Sequence, residues 1–217
     1  MGKWIKRIIK AIVIILCLLI VWRVWLLEDD SILGDFIPTQ AAAEIYKADG
    51  DITVMTNDVV HEMSESGYFS VFGVYYIPDT KELQVTVRCN QNSVGPLGDI
   101  RFFAYTVDTS GEPVEVVTDE NGAASEGVRL HEGYPIKEVF TPENHGHEER
   151  LFYSYDKLVF SGVEIGENIN LIISLCTGDS IDSEVAVIAA HFAEQPLEEY
   201  KLSKGEREAL GSYETAE

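Results

Sequence analysis

Residues 68–90 read YFSVFGVYYIPDTKELQVTVRCN, and the fold class turns on this stretch. Its first ten residues are aromatic, β-branched or small, the composition of a strand. Pro78, Asp79, Thr80 and Lys81 follow as a four-residue turn with a proline placed to start it. Beyond the turn Leu83, Val85, Val87 and Cys89 alternate with Gln84, Thr86, Arg88 and Asn90, so one face is apolar and the other polar. Two strands around a short turn predict a hairpin with one face in a core. On strict alternation Phe69 and Tyr75 share one face and Phe72 and Tyr76 the other, which favours core packing over a carbohydrate-stacking surface.

The same signals recur downstream. Residues 100–107 predict a strand, closed by Asp108-Thr109-Ser110-Gly111, with 113–118 returning from it. Residues 122–150 are loop-rich, with a short strand at 136–140. Strands are expected at 151–160 and 168–176, joined across 162–166, and at 184–192. Upstream, Thr39 caps a helix over 40–48 that ends near Gly50, and 53–67 carries no clear period. Near the C-terminus Ser203 and Glu206 have capping-box spacing for a brief helix to Leu210. Seven to eight strands without a long amphipathic helix predict an all-β fold, an immunoglobulin-like antiparallel β-sandwich.

Ahead of that domain, residues 8–27 read IIKAIVIILCLLIVWRVWLL. As a helix this covers about 30 Å, the hydrocarbon thickness of a bilayer, so a transmembrane helix is expected there. Lys10 and Arg23 lie near its ends, where their stems let the charges snorkel. Trp4, Trp22 and Trp25 stand near the two boundaries. A signal peptide would be cleaved close to the run, but the small residues Ala41, Ala42 and Ala43 come too late. A lipoprotein needs a small residue before its cysteine, whereas Cys17 follows Leu16. Residues 1–27 hold five basic and no acidic residues, and Glu28, Asp29 and Asp30 follow at once. That step predicts a cytoplasmic N-terminus (1–7), a span (8–27) and an exported remainder at the plasma membrane. The remainder divides into an acidic stalk, short helix and lead-in (28–67), the β-domain (68–200), and a short helix with tail (201–217).

Residues 28–217 carry 11 basic against 37 acidic side chains, a formal charge of −26. Such a surface repels nucleic acid and suits cationic partners or a solvated exterior. Outside the apolar run the cysteines are Cys89 and Cys176. Cys89 falls in register with apolar neighbours and Cys176 with Asn170 and Ser174, which argues against a bridge between them.

Motifs with chemistry are few. Glu143-Asn144-His145-Gly146-His147-Glu148-Glu149 offers two imidazoles among carboxylates, so His145, His147 and Glu148 are the metal-ligand candidates, although the spacing matches no zinc motif. Asp119, Asn121 and Glu126 suggest a calcium loop, but Ala124 stands where that loop needs glycine. No nucleophile elbow, phosphate loop or His-Glu-x-x-His occurs. His61 and His131 read as isolated loop residues and His191 as the rim of a strand. No catalytic residue and no cofactor is assigned, and an enzyme is not expected.

The segment 75–90 (YYIPDTKELQVTVRCN), with Phe152-Tyr153-Ser154-Tyr155 and the chain on to Cys176, resembles uncharacterised single-pass membrane-anchored ectodomain proteins of Gram-positive bacteria. The resemblance rests on strand pattern and turn placement, and it implies an immunoglobulin-like sandwich outside the plasma membrane without implying an activity. The leading expectation is a membrane-tethered, non-enzymatic domain that meets a protein partner in the cell envelope. The alternatives are a small-ligand or metal-binding ectodomain and, third, an envelope enzyme whose site is assembled from loops.

Overall fold

The computed structural model of the chain describes residues 2–27, 36–57, 64–113, 130–150, 152–166, 168–190, 192 and 196–213. Two antiparallel sheets form its body. The first runs β11-β1-β2-β3-β8-β7, from Met55–Thr56 (β1), Phe69–Ile77 (β2), Glu82–Asn90 (β3), Glu143–Glu149 (β7), Tyr153–Phe160 (β8) and Glu198–Glu199 (β11). The second runs β10-β9-β4-β6-β5, from Arg101–Asp108 (β4), Leu130–His131 (β5), Tyr134–Phe140 (β6), Ile169–Cys176 (β9) and Glu184–Ala190 (β10). The helices are α1 (Gly2–Leu27), α2 (Gln40–Asp49), α3 (Gln91–Val94) and α4 (Lys204–Ser212).

The hairpin read from residues 68–90 is β2 and β3, with Ile77 opposite Glu82 across the turn. A bulge between Val71 and Gly73 alters its faces. An inserted residue reverses the alternation beyond it. Phe69 and Val71 before the bulge, and Val74 and Tyr76 after it, therefore all enter the core between the sheets. Tyr75 instead turns to the outer face of the first sheet. Strict alternation had paired Phe69 with Tyr75.

Leu83, Val85, Val87 and Cys89 of β3 complete the inter-sheet core with Leu158 and Phe160 of β8, and with Phe102, Leu171, Leu175 and Ile188 from the second sheet. The polar face of β3 is covered as well. Gln84 is 1% exposed, because the chain entering α2 lies across it. Ile37 donates its N–H to Gln84 Oε1 at 2.8 Å, and Gln84 Nε2 donates to the Ile37 carbonyl at 2.7 Å and to Glu82 Oε1 at 2.8 Å. The Thr39 hydroxyl donates to Glu82 Oε2 at 2.8 Å and also accepts from Ala42 N, which caps α2. Gly50, at φ 78, ends that helix in the left-handed conformation glycine tolerates. Ala42, Ala43, Leu202 and Leu210 then pack with Tyr75 and Ile77, so α2 and α4 form a third layer on the first sheet. The capping box at Ser203 and Glu206 is formed as expected.

Several expectations meet a different structure. The connection from β8 to β9, read as a turn region across 162–166, crosses from one sheet to the other. Residues 130–149, expected to be mainly loop, form β5, β6 and β7. Residues 114–129 lie outside the described ones, and with them the return strand beyond Pro113 and the calcium-like residues Asp119, Asn121 and Glu126. Cys89 and Cys176 are both buried and free: the first lies in the inter-sheet core, the second on the outer face of the second sheet.

Helix α1 is continuous, and its side chains from Trp4 to Trp22 are all exposed. Among the described residues no helix is long and apolar enough to cross a membrane. The fully described part of α1, residues 4–22, includes Lys6, Arg7 and Lys10, whereas the side chains of 23–27, which the expected span counts in, lie outside the described ones. The expectation over 8–27 is thus met as a helix, and not as a membrane span.

Candidate functional site

A cleft of about 530 Å³ opens at one end of the sandwich, between β7 and β8 on one side and the start of β4 on the other. Its construction begins with a bulge in β7. Asn144 lies opposite Leu158 and Gly146 opposite Lys157, leaving His145 as the inserted residue. Without the insertion Asn144 and His147 would point to opposite faces. With it, both turn inward over Asp156 of β8, which stands directly across from His147. Gly146 N donates to Asn144 Oδ1 at 2.9 Å and holds the bulge.

Asp156 Oδ1 accepts from Asn144 Nδ2 at 2.9 Å and lies 2.7 Å from His147 Nδ1. A carboxylate there requires the proton on Nδ1 and leaves Nε2 toward Glu149 Oε1, at 3.7 Å. The Asp156 hydrogen bond raises the His147 pKa above the ordinary histidine value, against a smaller opposing effect of burial. Ser154, on the same face of β8, also lines the cleft, and behind it the Cys89 thiol is pushed up to about 12, chiefly by burial and further by the Asp156 charge. On the β4 side Arg101 Nη1 holds Asp179 Oδ1 at 2.8 Å, and both residues line the cleft.

The three metal-ligand candidates from the sequence do not converge. Histidines two apart would share a face on a regular strand, but the bulge separates them. His147 enters the cleft. His145 turns to the outer face, where its Nε2 lies 3.5 Å from Glu143 Oε2 in a second pocket that also contains Glu44 and the buried Glu82. Glu148 accepts from Arg150 Nε at 3.0 Å. Among the described residues no three histidine, cysteine or acidic side chains are grouped closely enough to hold a metal ion. His61 and His191 fall outside the described residues.

His131 is not isolated. On the outer face of the second sheet Tyr105 Oη lies 3.0 Å from both His131 Nδ1 and Glu184 Oε2, and Ser174 Oγ donates to the same carboxylate oxygen at 2.7 Å. The tyrosine has one proton and Glu184 takes it, so His131 Nδ1 must be the donor to Tyr105. Cys176 Sγ ends the chain, 3.4 Å from Ser174 Oγ. Burial, reinforced by the Glu184 charge, drives the Tyr105 pKa far up, and burial also raises that of Cys176. The network ties His131 of β5 and Glu184 of β10, the two edge strands, to the centre of the second sheet.

The sequence pointed to His147 but missed Asp156 and Arg101. Asp156 sits in an ordinary strand, Tyr-Asp-Lys-Leu, and only cross-strand register joins it to His147. No protein-family model, no curated protein and no solved structure matches the chain.

Proposed function

We propose that the chain is a membrane-tethered, non-enzymatic binding domain, displayed on the extracytoplasmic side and meeting a protein partner of the cell envelope. The observation that carries this reading is the surface of α1. Ile8, Ile12, Ile15, Leu19 and Val21 are among the large apolar side chains that stand 41–65% exposed along it. An apolar surface of that extent marks an interaction site, and a bilayer fits one that surrounds the helix on every side. The bilayer stretch begins after Lys6 and Arg7, continues in the sequence to Leu27, and keeps Lys10 and Arg23 near the headgroups. The basic N-terminal end and the acids from Glu28 onward support an inward N-terminus.

An immunoglobulin-like type for the β-domain is part of the proposal. Supporting it, β2-β3-β8-β7 follows the A-B-E-D order of that fold, and β10-β9-β4-β6 follows G-F-C with an added strand. Cys89 and Cys176 then sit on the B and F strands, but without the bridge between them.

Fractionation of cells expressing the full chain tests the tether. The wild type stays with the membranes through alkaline extraction, and Leu16→Arg combined with Leu19→Arg releases it. External protease digests the β-domain in spheroplasts, and crosslinking in intact cells repeatedly captures one protein neighbour. Wild type in the soluble fraction sinks the tether, and protection from external protease sinks the orientation.

A second reading, a small-ligand-binding ectodomain, is favoured by the cleft, where one carboxylate is fixed in place by two neighbouring side chains.

A further inference from the structure

We infer that the cleft between β4, β7 and β8 takes a neutral, polyhydroxylated ligand, a sugar ring. The inference rests on the second reading, that the cleft is a binding site, and adds the ligand class. Its volume, about 530 Å³, falls in the range of small-molecule sites.

The charges in the cleft are already paired. His147 and Asn144 hold Asp156, and Arg101 holds Asp179. An anion would have to approach through the field of a chain with formal charge −21, and a cation would be repelled by the Arg101 guanidinium on the cleft wall. A neutral ligand meets neither obstacle.

Hydrogen-bonding capacity remains on the walls. Both contacts to Asp156 use Oδ1, so among the described residues its Oδ2 is left to accept. Asp179 is held through Oδ1 in the same way. The remaining N–H groups of Arg101 and the hydroxyl of Thr141 supply donors on the same cleft. Donors and acceptors that line one cleft match hydroxyl groups, each of which gives one proton and accepts others.

The inference is tested on the full chain in lipid nanodiscs, which avoids glycosidic detergents. Saturation-transfer NMR and calorimetry would screen glucose, galactose, mannose and N-acetylglucosamine against acetate, ethanolamine and inorganic phosphate. At least one sugar binds, with Kd on the order of 1 mM. Asp156→Ala weakens that binding about tenfold, through loss of a hydrogen-bonding group to the ligand, and Asn144→Ala weakens it by releasing Asp156 from its place. Glu44→Gln, in the separate pocket of the outer face, leaves it unchanged. Thr141→Val provides a third cleft variant should Asp156→Ala fail to fold. Preferential binding of a charged probe, lost in the same variants, overturns the sugar while keeping the cleft as a site. Silence from every probe, or sugar binding indifferent to all three cleft variants, overturns both.

Discussion

Replacing Gln84 with leucine should loosen the whole α2 layer, although Gln84 lies on β3. The side chains are close in volume, so the change removes hydrogen bonds with little change in packing. Three are lost: the two exchanged with the Ile37 backbone and the one given to Glu82. Each backbone bond is worth about 1 kcal/mol and the bond to the carboxylate roughly 1.5–3, giving a destabilisation of about 3–5 kcal/mol. Ile37 is only half-buried, so water can satisfy part of what is freed and the lower figure is the better estimate. For a chain of this size that lower figure corresponds to a fall in Tm of roughly 6–12 °C. The tryptophans all lie in α1, so unfolding is best followed in the near-ultraviolet signal of the ten tyrosines. Hydrogen exchange should show protection lost first across residues 37–49, before the β-sheet amides. A loss below about 0.5 kcal/mol with α2 protection unchanged would mean that the clasp at Ile37 does not hold the layer.

Two further outcomes follow from the site and the core. Asp156→Asn should lower the His147 titration midpoint toward the ordinary value, read from the imidazole resonances, and an unmoved midpoint would exclude the Asp156 contact as its cause. Because the folded-state pKa is raised, the stabilisation is complete below the unfolded value of about 6.5 and is lost as pH rises through the folded value, so wild type and variant should differ more at pH 5.5 than at pH 8.5. Cys89, with its thiol at about 12, should carry roughly a thousandfold less thiolate at pH 8 than a free cysteine. A thiol reagent should therefore reach it only in denaturant, and labelling at the denatured rate under native conditions would contradict its burial.

The hairpin of residues 68–90 was legible because two independent signals coincide there, strand alternation on either side and a proline turn between them. The same alternation misled on β3. Gln84 and Thr86 read as a solvated face, yet both are buried, Gln84 beneath a chain that comes from residues nearly fifty positions earlier. Strand β7 could not be read at all. Its residues, Glu-Asn-His-Gly-His-Glu-Glu, have poor strand propensity, and it forms as the edge of the sheet against a single partner, β8. The site was lost for the same reason. An inserted residue decides which of two histidines faces Asp156, and an insertion in a strand has no mark in the period of a polar segment.

The clasp between Ile37 and Gln84 also governs reach. A pull applied through α1 meets Phe36, packed on Tyr75 of β2, and then the clasp to β3, which is hydrogen-bonded on both sides, to β2 and β8. While the clasp holds, the sheets stay on a short leash. Once it parts, and Thr39, Ala42 and Ala43 leave their places on the sheet in turn, the chain as far as Ile52 can pay out a tether of about 50 Å without any strand leaving its sheet.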